Sequence, residues 1–401
     1  MSYDPGRYYY AATWMKISGS ESILSLRDSI AFIQCIGTAI ALTMLARSLK
    51  IFSLPYLIVS AIILVTWMFP RHKLFDITFS IINLFTIYLL IERPSLRRFF
   101  FIGTAVGLMA LFGRNHSLYL GFAVCLSLMF AIKNDPFGRD SIKKCLILVL
   151  GVLSGFLPLL AFVIFVPGFA RQYWDSVIFI VEIKTTNLTL PIPWPWLVSL
   201  KEPMVHISRS VLIGLFFLIS ATFTLSTIWP FFRSKFKTNV SPLVISCCFL
   251  SLPYAHFAFS RADVGHLAQG VFPTLLALLV VIGNFKGPLK AILVSIILVS
   301  SAWVMAAFHP ASVCYVSKDC RLATLGNEEI LMENNSATEV SVVQKFAEIH
   351  AKSGQNLMFA PYWPGAYALL DQRSPTWEIY ALFPRPADFE SKEIDRMKSS
   401  N

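Results

Sequence analysis

Charge is scarce in this chain. Of its 401 residues only 14% are Asp, Glu, Lys or Arg, against 56% hydrophobic. With a positive mean hydropathy, that balance excludes an ordinary soluble fold and defines a polytopic membrane protein. Met1 to Arg27 lack the basic stretch and following apolar run of a secretory signal, and the segment is too mixed in charge to be a span. No Lys/Arg block interleaves with aromatics in a polar region, so nucleic acid is excluded as a partner despite the net charge of +11. That excess fits cytoplasmic loops and attraction for an anionic substrate or a lipid headgroup. No second Cys/His pair accompanies Cys314 and Cys320, which argues against zinc. These two thiols, in a polar segment, read either as a disulfide outside the cytoplasm or as two free thiols. The other cysteines lie in or beside apolar runs, where a thiol is a small hydrophobe. Internal repeats and low-complexity tracts are also missing.

Long apolar runs are what the chain has. They predict about ten transmembrane helices, at 29–46, 53–69, 74–91, 99–112, 117–132, 145–166, 210–229, 242–259, 266–284 and 289–308. The runs 99–112 and 117–132 are short, and His116 between them admits one broken helix instead, which would reverse the topology downstream. Charge separates the two readings. Arg47, Lys50, Arg93, Arg97, Arg98, Lys133, Arg139, Lys143, Lys144, Arg233, Lys235, Lys237, Lys286 and Lys290 fall on one set of connections, and only Arg71, Lys73, Arg114 and Arg261 on the other short ones. Positive charge concentrates on cytoplasmic loops, so ten spans with both termini outside are expected.

The expected organisation is an outer loop over 1–28, an all-α bundle over 29–308 and an extracytoplasmic domain over 309–401. The bundle carries an outer loop over 167–209, where Tyr173, Trp174, Trp194 and Trp196 suit headgroup level. In the last domain, helical spacing from Ala337 to Lys352, a strand over Leu357–Ala360 and a Pro-Gly turn predict a small α/β unit.

The outward exceptions to the charge rule are the candidate site. Ser260-Arg261-Ala262-Asp263-Val264-Gly265-His266 packs three ionisable groups into a connection between two apolar runs; Arg71-His72-Lys73 and Arg114-Asn115-His116 stand at equivalent helix ends. A guanidinium forks onto phosphate oxygens and His adds a donor, so these loops predict a basic pocket for a phosphate. Plainer roles stand beside that one: Arg71 and Lys73 snorkelling, Asp263 as a helix N-cap, His116 as a satisfied interfacial histidine and Asp4 as a turn former. Asp4 is equally the carboxylate able to take a proton from an acceptor hydroxyl.

Asp4-Pro-Gly-Arg-Tyr-Tyr with Ala11-Ala-Thr-Trp-Met15, Gly113-Arg-Asn-His-Ser-Leu-Tyr119, Ser260 to His266, and Ala360 to Tyr367 through Pro375 to Tyr380 together resemble bacterial membrane glycosyltransferases of the GT-C fold. That class includes the protein-mannosyltransferase-like and aminoarabinose-transferase-like enzymes, and the resemblance is one of layout over most of the chain. It implies a polyprenyl-phosphate sugar donor, an envelope acceptor and transfer at the outer face of the inner membrane. By the same resemblance Asp4 is the catalytic carboxylate, and Arg7, Arg114, Asn115, His116, Tyr119, Arg261, Asp263 and His266 bind substrate. No cofactor is implied, although Asp4 and Asp263 offer ligands to a divalent ion. The family carries a span ahead of its first outer loop, so the resemblance further implies a helix missing before Met1. Two other classes fit the same residues: a transporter or flippase for an anionic or lipid-linked substrate, and a non-catalytic subunit of an envelope-assembly complex.

Overall fold

The structure is a computed structural model; it describes residues 4–132, 138–183, 190–232, 240–325, 328–350, 357–360, 363, 365–379 and 384–400, without the side chains at 71, 130–132, 183 and 227–232. Lys133, Arg233, Lys235, Lys237, Pro361, Tyr362, Pro364 and Tyr380 therefore lie outside the described residues. The chain divides into two units, one of 3–174 and 187–306, the other of 175–186 and 307–401.

The first unit is helical. The expected opening loop is instead a helix, α1 (Pro5–Ser18): Asp4 at its N-cap is extended, Pro5 supplies a helix-ready φ, and Gly19 closes it in the left-handed region at φ 69°. α2 (Ile23–Ser48) starts six residues earlier than the apolar run, because the Ser22 side chain accepts from the Ser25 amide at 3.1 Å, a cap worth about 1 kcal/mol. There follow α3 (Leu54–Trp67), α4 (Leu74–Glu92), α5 (Leu96–Phe112), α6 (Arg114–Ile132), α7 (Arg139–Phe165), α8 (Phe169–Ile183), whose residues from 175 on belong to the second unit, α9 (Met204–Phe232), α10 (Pro242–Ser260), α11 (Val264–Gly270), α12 (Phe272–Gly283) and α13 (Pro288–Met305). Among the described residues six of these are long and apolar enough to cross a membrane, or seven if α11 and α12 form one span. The chain is thus a helical, multi-pass membrane protein by length and composition. The expected continuous helix at 266–284 is bent by 61° between α11 and α12, where Pro273 at the start of α12 has no amide to give the preceding turn.

Residues 99–112 and 117–132 belong to separate helices rather than to one broken one. The chain reverses at Gly113, and Ser117 Oγ on α6 donates back to Val106 O on α5 at 2.8 Å. α5 and α7 instead run side by side in the same direction. Gly103 and Gly107 meet Gly151 and Gly155 so closely that a Cβ on any of them would collide with the facing backbone, the small-residue seam that lets membrane helices approach. Of α7 only Ser141, Gly151, Gly155 and Leu159 are buried; Leu146, Val149, Leu150, Leu153 and Leu157 are exposed, as a lipid-facing surface requires.

The helix ends sort into two sides. Arg47 at the end of α2 pairs with Glu92 at the end of α4 at 2.9 Å, Arg98 at the start of α5 reaches the same carboxylate at 3.5 Å, and the Lys50 amide donates to Asn284 after α12 at 2.8 Å. The other side collects α1, the start of α4, the α5–α6 turn and the α10–α11 turn.

In the second unit β1 (Cys320–Leu325) and β2 (Glu328–Glu333) form an antiparallel hairpin against α14 (Asn334–His350). α15 (Gly365–Leu369) and α16 (Ala387–Ser399) complete it. The helix expected from Ala337 is present, but Leu357–Ala360 is irregular rather than a strand; a four-residue apolar run carries too little periodicity to decide its conformation. Cys314 and Cys320 form a disulfide. Phe179 packs on Trp377 and Phe389, and the buried Glu393 carboxylate accepts the amides of Trp377 and Glu378 at 2.8 and 3.2 Å.

Candidate functional site

Two ion pairs of opposite sense bind α1 to the bundle. Asp4 Oδ2 accepts the backbone amide of Arg114 at 2.9 Å, and Arg114 Nε lies 2.9 Å from Asp4 Oδ1, a Coulombic contact out of line for a hydrogen bond. Asp4 caps α6 and leaves its own helix uncapped. One turn on, Arg7 forks onto Asp76 of α4, Nη2 to Oδ1 at 2.6 Å and Nη1 to Oδ2 at 3.4 Å, while its Nε donates to Phe112 O at 2.7 Å. Two glycines make the approach possible: a Cβ on Gly6 would stand 2.8 Å from Leu111 O, and one on Gly113 2.7 Å from His116 Cδ2.

Behind Asp76 runs a buried polar chain. Asn83 Nδ2 donates to His116 O at 3.1 Å and to the Tyr254 hydroxyl at 2.9 Å. That hydroxyl therefore has its proton for His116 Nδ1, 2.9 Å away, which puts the ring proton on Nε2, 3.0 Å from Asp76 Oδ1. Asn83, Tyr254 and His116 thus line up as successive donors ending on the carboxylate. His116 is 1% exposed and Asp76 4%, so each depends on its partners for polar contact. The Asn83 Oδ1 acceptor is buried without a hydrogen-bond partner among the described residues.

The α10–α11 turn makes a second group. Asp263 caps α11 by accepting the His266 amide at 2.8 Å, as one of its expected roles required; its Oδ1 also contacts His266 Nδ1 at 2.8 Å, and Oδ2 lies 2.8 Å from Arg261 Nε. Burial raises the Asp263 carboxyl, but the ring and amide bonds from His266 and the charges of His266 and Arg261 outweigh it and hold the group below the usual carboxylate range. Gly265 abuts Pro70, whose ring a Cβ would meet at 3.2 Å. His72, in the turn before α4, links the groups: burial and Lys73 hold its imidazole below the ordinary value, and Asp76, His266 and Asp263 all act on it.

The sequence candidates therefore divide. Asp4, Arg7, Arg114 and His116 meet in one network, and Arg261, Asp263 and His266 form a neighbouring one across His72. Asn115 is exposed. The Tyr119 hydroxyl sits 2.6 Å from His256 Nδ1 rather than in the network, and the Arg71 side chain lies outside the described residues. Arg114 also lies over the Tyr173 ring at 5.4 Å, so the aromatic segment after α7 does reach this end. Asp4 and Asp263 engage different arginines, and among the described residues no three His, Cys, Asp or Glu side chains gather as a metal ion needs. Asp76, Asn83 and Tyr254 escaped sequence reasoning. Asp76 had a signal, being the only charged residue in the apolar run 74–91.

Chemically, the arrangement is a self-neutralised set of arginine–carboxylate pairs. An anion arriving at Arg7 or Arg114 must replace a carboxylate, and the carboxylate so released becomes a base. Comparison of the chain with protein-family models, with curated proteins and with solved structures found no match.

Proposed function

We propose that the chain is a membrane glycosyltransferase that moves a sugar from a polyprenyl-phosphate donor to an envelope acceptor at the periplasmic face. The observation that carries this reading is the gathering of Arg7, Arg114 and His116 with two carboxylates, Asp4 and Asp76, at one end of the bundle. In this reading α2 to α7, α9, α10, the α11–α12 pair and α13 are the ten spans of a GT-C-like fold. Both termini lie outside the cytoplasm of a bacterial inner membrane. The side carrying Arg47, Lys50, Arg98 and Lys290 faces the cytoplasm, as the charge rule requires.

The donor phosphate exchanges with Asp4 at Arg114, while Arg261 and His266 supply further donors. The acceptor hydroxyl oxygen attacks the anomeric carbon with inversion, its proton passes to the freed Asp4, and the carbon–oxygen bond to phosphate breaks with its electron pair leaving on polyprenyl phosphate. Arginine acts most strongly on that departing charge.

The test is release of polyprenyl phosphate by the full chain in proteoliposomes supplied with hexosyl and pentosyl donors. Arg114→Ala should lower release by about 10²–10³-fold, the usual effect of deleting one preorganised donor. No release by the wild type from any donor supplied, or an unchanged rate in Arg114→Ala, overturns the reading.

A further inference from the structure

A crevice away from the ion-pair network has the layout of an amphiphile site. It lies between the irregular segment 190–203 and the first turns of α9, and measures about 180 Å³, lined by Pro193, Leu197, Ser199, Glu202, His206 and Ser210 among others. That is below the roughly 300–1,000 Å³ of pockets that enclose a whole ligand, so the crevice suits one end of an amphiphile.

Its depth follows from the backbone. Pro193 and Pro195 rest directly on Gly214 of α9, where a Cβ would collide with Pro193 O. Gly214 is ten residues past Met204, the first residue of α9, or about 15 Å along the axis. The segment 196–203 climbs back over that distance to the start of the helix. Irregular backbone at this depth has to be covered by protein or line a polar cleft. Here both hold: Ile192 and Trp194 pack on the main core, and the outer side opens into the crevice.

Headgroup level is marked independently. Trp303 on α13 donates through Nε1 to Ser208 Oγ at 3.0 Å, and Arg209 Nε donates to Trp303 O at 3.3 Å, residue types that collect at the membrane–water boundary. The crevice is graded to match. Ser199, Glu202 and His206 stand at its rim, Pro193 lies beside Gly214 further in, and the surrounding Trp196, Leu197, Leu200 and Met204 are 66%, 67%, 83% and 77% exposed.

We propose that this crevice binds the headgroup of a phospholipid bearing a primary ammonium, the ethanolamine class. Glu202 has no ion pair among the described residues and presents its carboxylate at headgroup depth. Ser199 and Ser210 add hydroxyl acceptors for the N–H groups of a primary ammonium. A choline headgroup has no such donors, and an anionic headgroup meets the Glu202 charge. Lys201 and His206, flanking Glu202, face the phosphate of the same zwitterion, and the exposed apolar residues run beside its acyl chains. The site is independent of any transfer reaction.

The test uses the full chain in nanodiscs of equal ethanolamine, choline and glycerol phospholipids, with retained lipids weighed by native mass spectrometry after mild release. A partly exposed carboxylate–ammonium contact predicts roughly two- to fivefold enrichment of the ethanolamine lipid over the choline lipid. Glu202→Gln should bring that ratio to one and Glu202→Lys should turn the preference to the glycerol lipid. Glu21→Gln, the same change at another exposed glutamate, should leave it intact. Lipid retained in proportion to the bilayer, a wild-type preference for the anionic lipid, or undiminished enrichment in Glu202→Gln would overturn the proposal.

Discussion

Removing one member of the Arg7–Asp76 pair should cost more than removing both. The side chains are 13% and 6% exposed and joined at 2.6 Å, so Asp76→Asn strands a guanidinium where water cannot solvate it. Arg7→Met leaves the carboxylate, among the described residues, only the His116 ring to meet it. Breaking a buried pair from one side typically costs about 3–5 kcal/mol, whereas replacing both charges is often close to neutral. The double variant also gives up the Arg7 bond to Phe112 O, about 1 kcal/mol, which still leaves it near or below either single variant. The assay is denaturant unfolding in mild detergent for the four proteins of the cycle. A coupling of about 5 kcal/mol or more is expected. Effects that add to within about 0.5 kcal/mol, as for independent sites, would refute the inference that these residues share one buried contact.

Further outcomes follow from the helix seam and the second ionic group. Gly155→Leu should destabilise the bundle by about 1–3 kcal/mol through overpacking at Thr104, read by the same titration. Gly121→Leu, whose nearest neighbour would be Val106 at 4.0 Å, should be nearly silent, and equal losses at the two positions would contradict the packing described. Asp263 has a folded pKa below its unfolded value. Its contribution is therefore present above the unfolded pKa, about 3.9, and is lost as pH falls through the lower folded value. Asp263→Asn should accordingly lag the wild type in stability at neutral pH and converge with it in acid; a gap that persists or widens in acid would show the sign to be wrong.

Most bundle helices were legible because an apolar run of membrane length has few other conformations open to it. The boundaries moved where polar residues extend a helix beyond its apolar stretch, as at Ser22 before α2 and at Arg139, where α7 begins. The sequence of α1 reads as a loop although Asp4, Pro5 and Gly19 punctuate it, since Tyr8, Tyr9, Arg7 and Lys16 obscure any apolar face. The bend at Gly270–Pro273 had the same kind of local sign. In the hairpin Cys320–Glu333, β2 alternates, with Glu328, Ile330 and Met332 less exposed than their neighbours, but a glutamate on the covered face and the irregular burial of β1 hide the period. At the candidate site the residue types at the outward ends were readable, whereas their pairing was not. Asp4 finds Arg114 and Arg7 finds Asp76 across 110 and 69 positions, and only the bundle decides such matches.

The docking of α1 has a consequence for how it is held. Asp4 meets a cation and Arg7, one turn on, meets an anion, so the contact works as a keyed plug with a single permitted insertion, since exchanging the two would set like signs together. Such a quadrupole has almost no far field. Ionic strength should barely loosen the plug, and a charged visitor would feel it only on arrival, when one prong is exchanged.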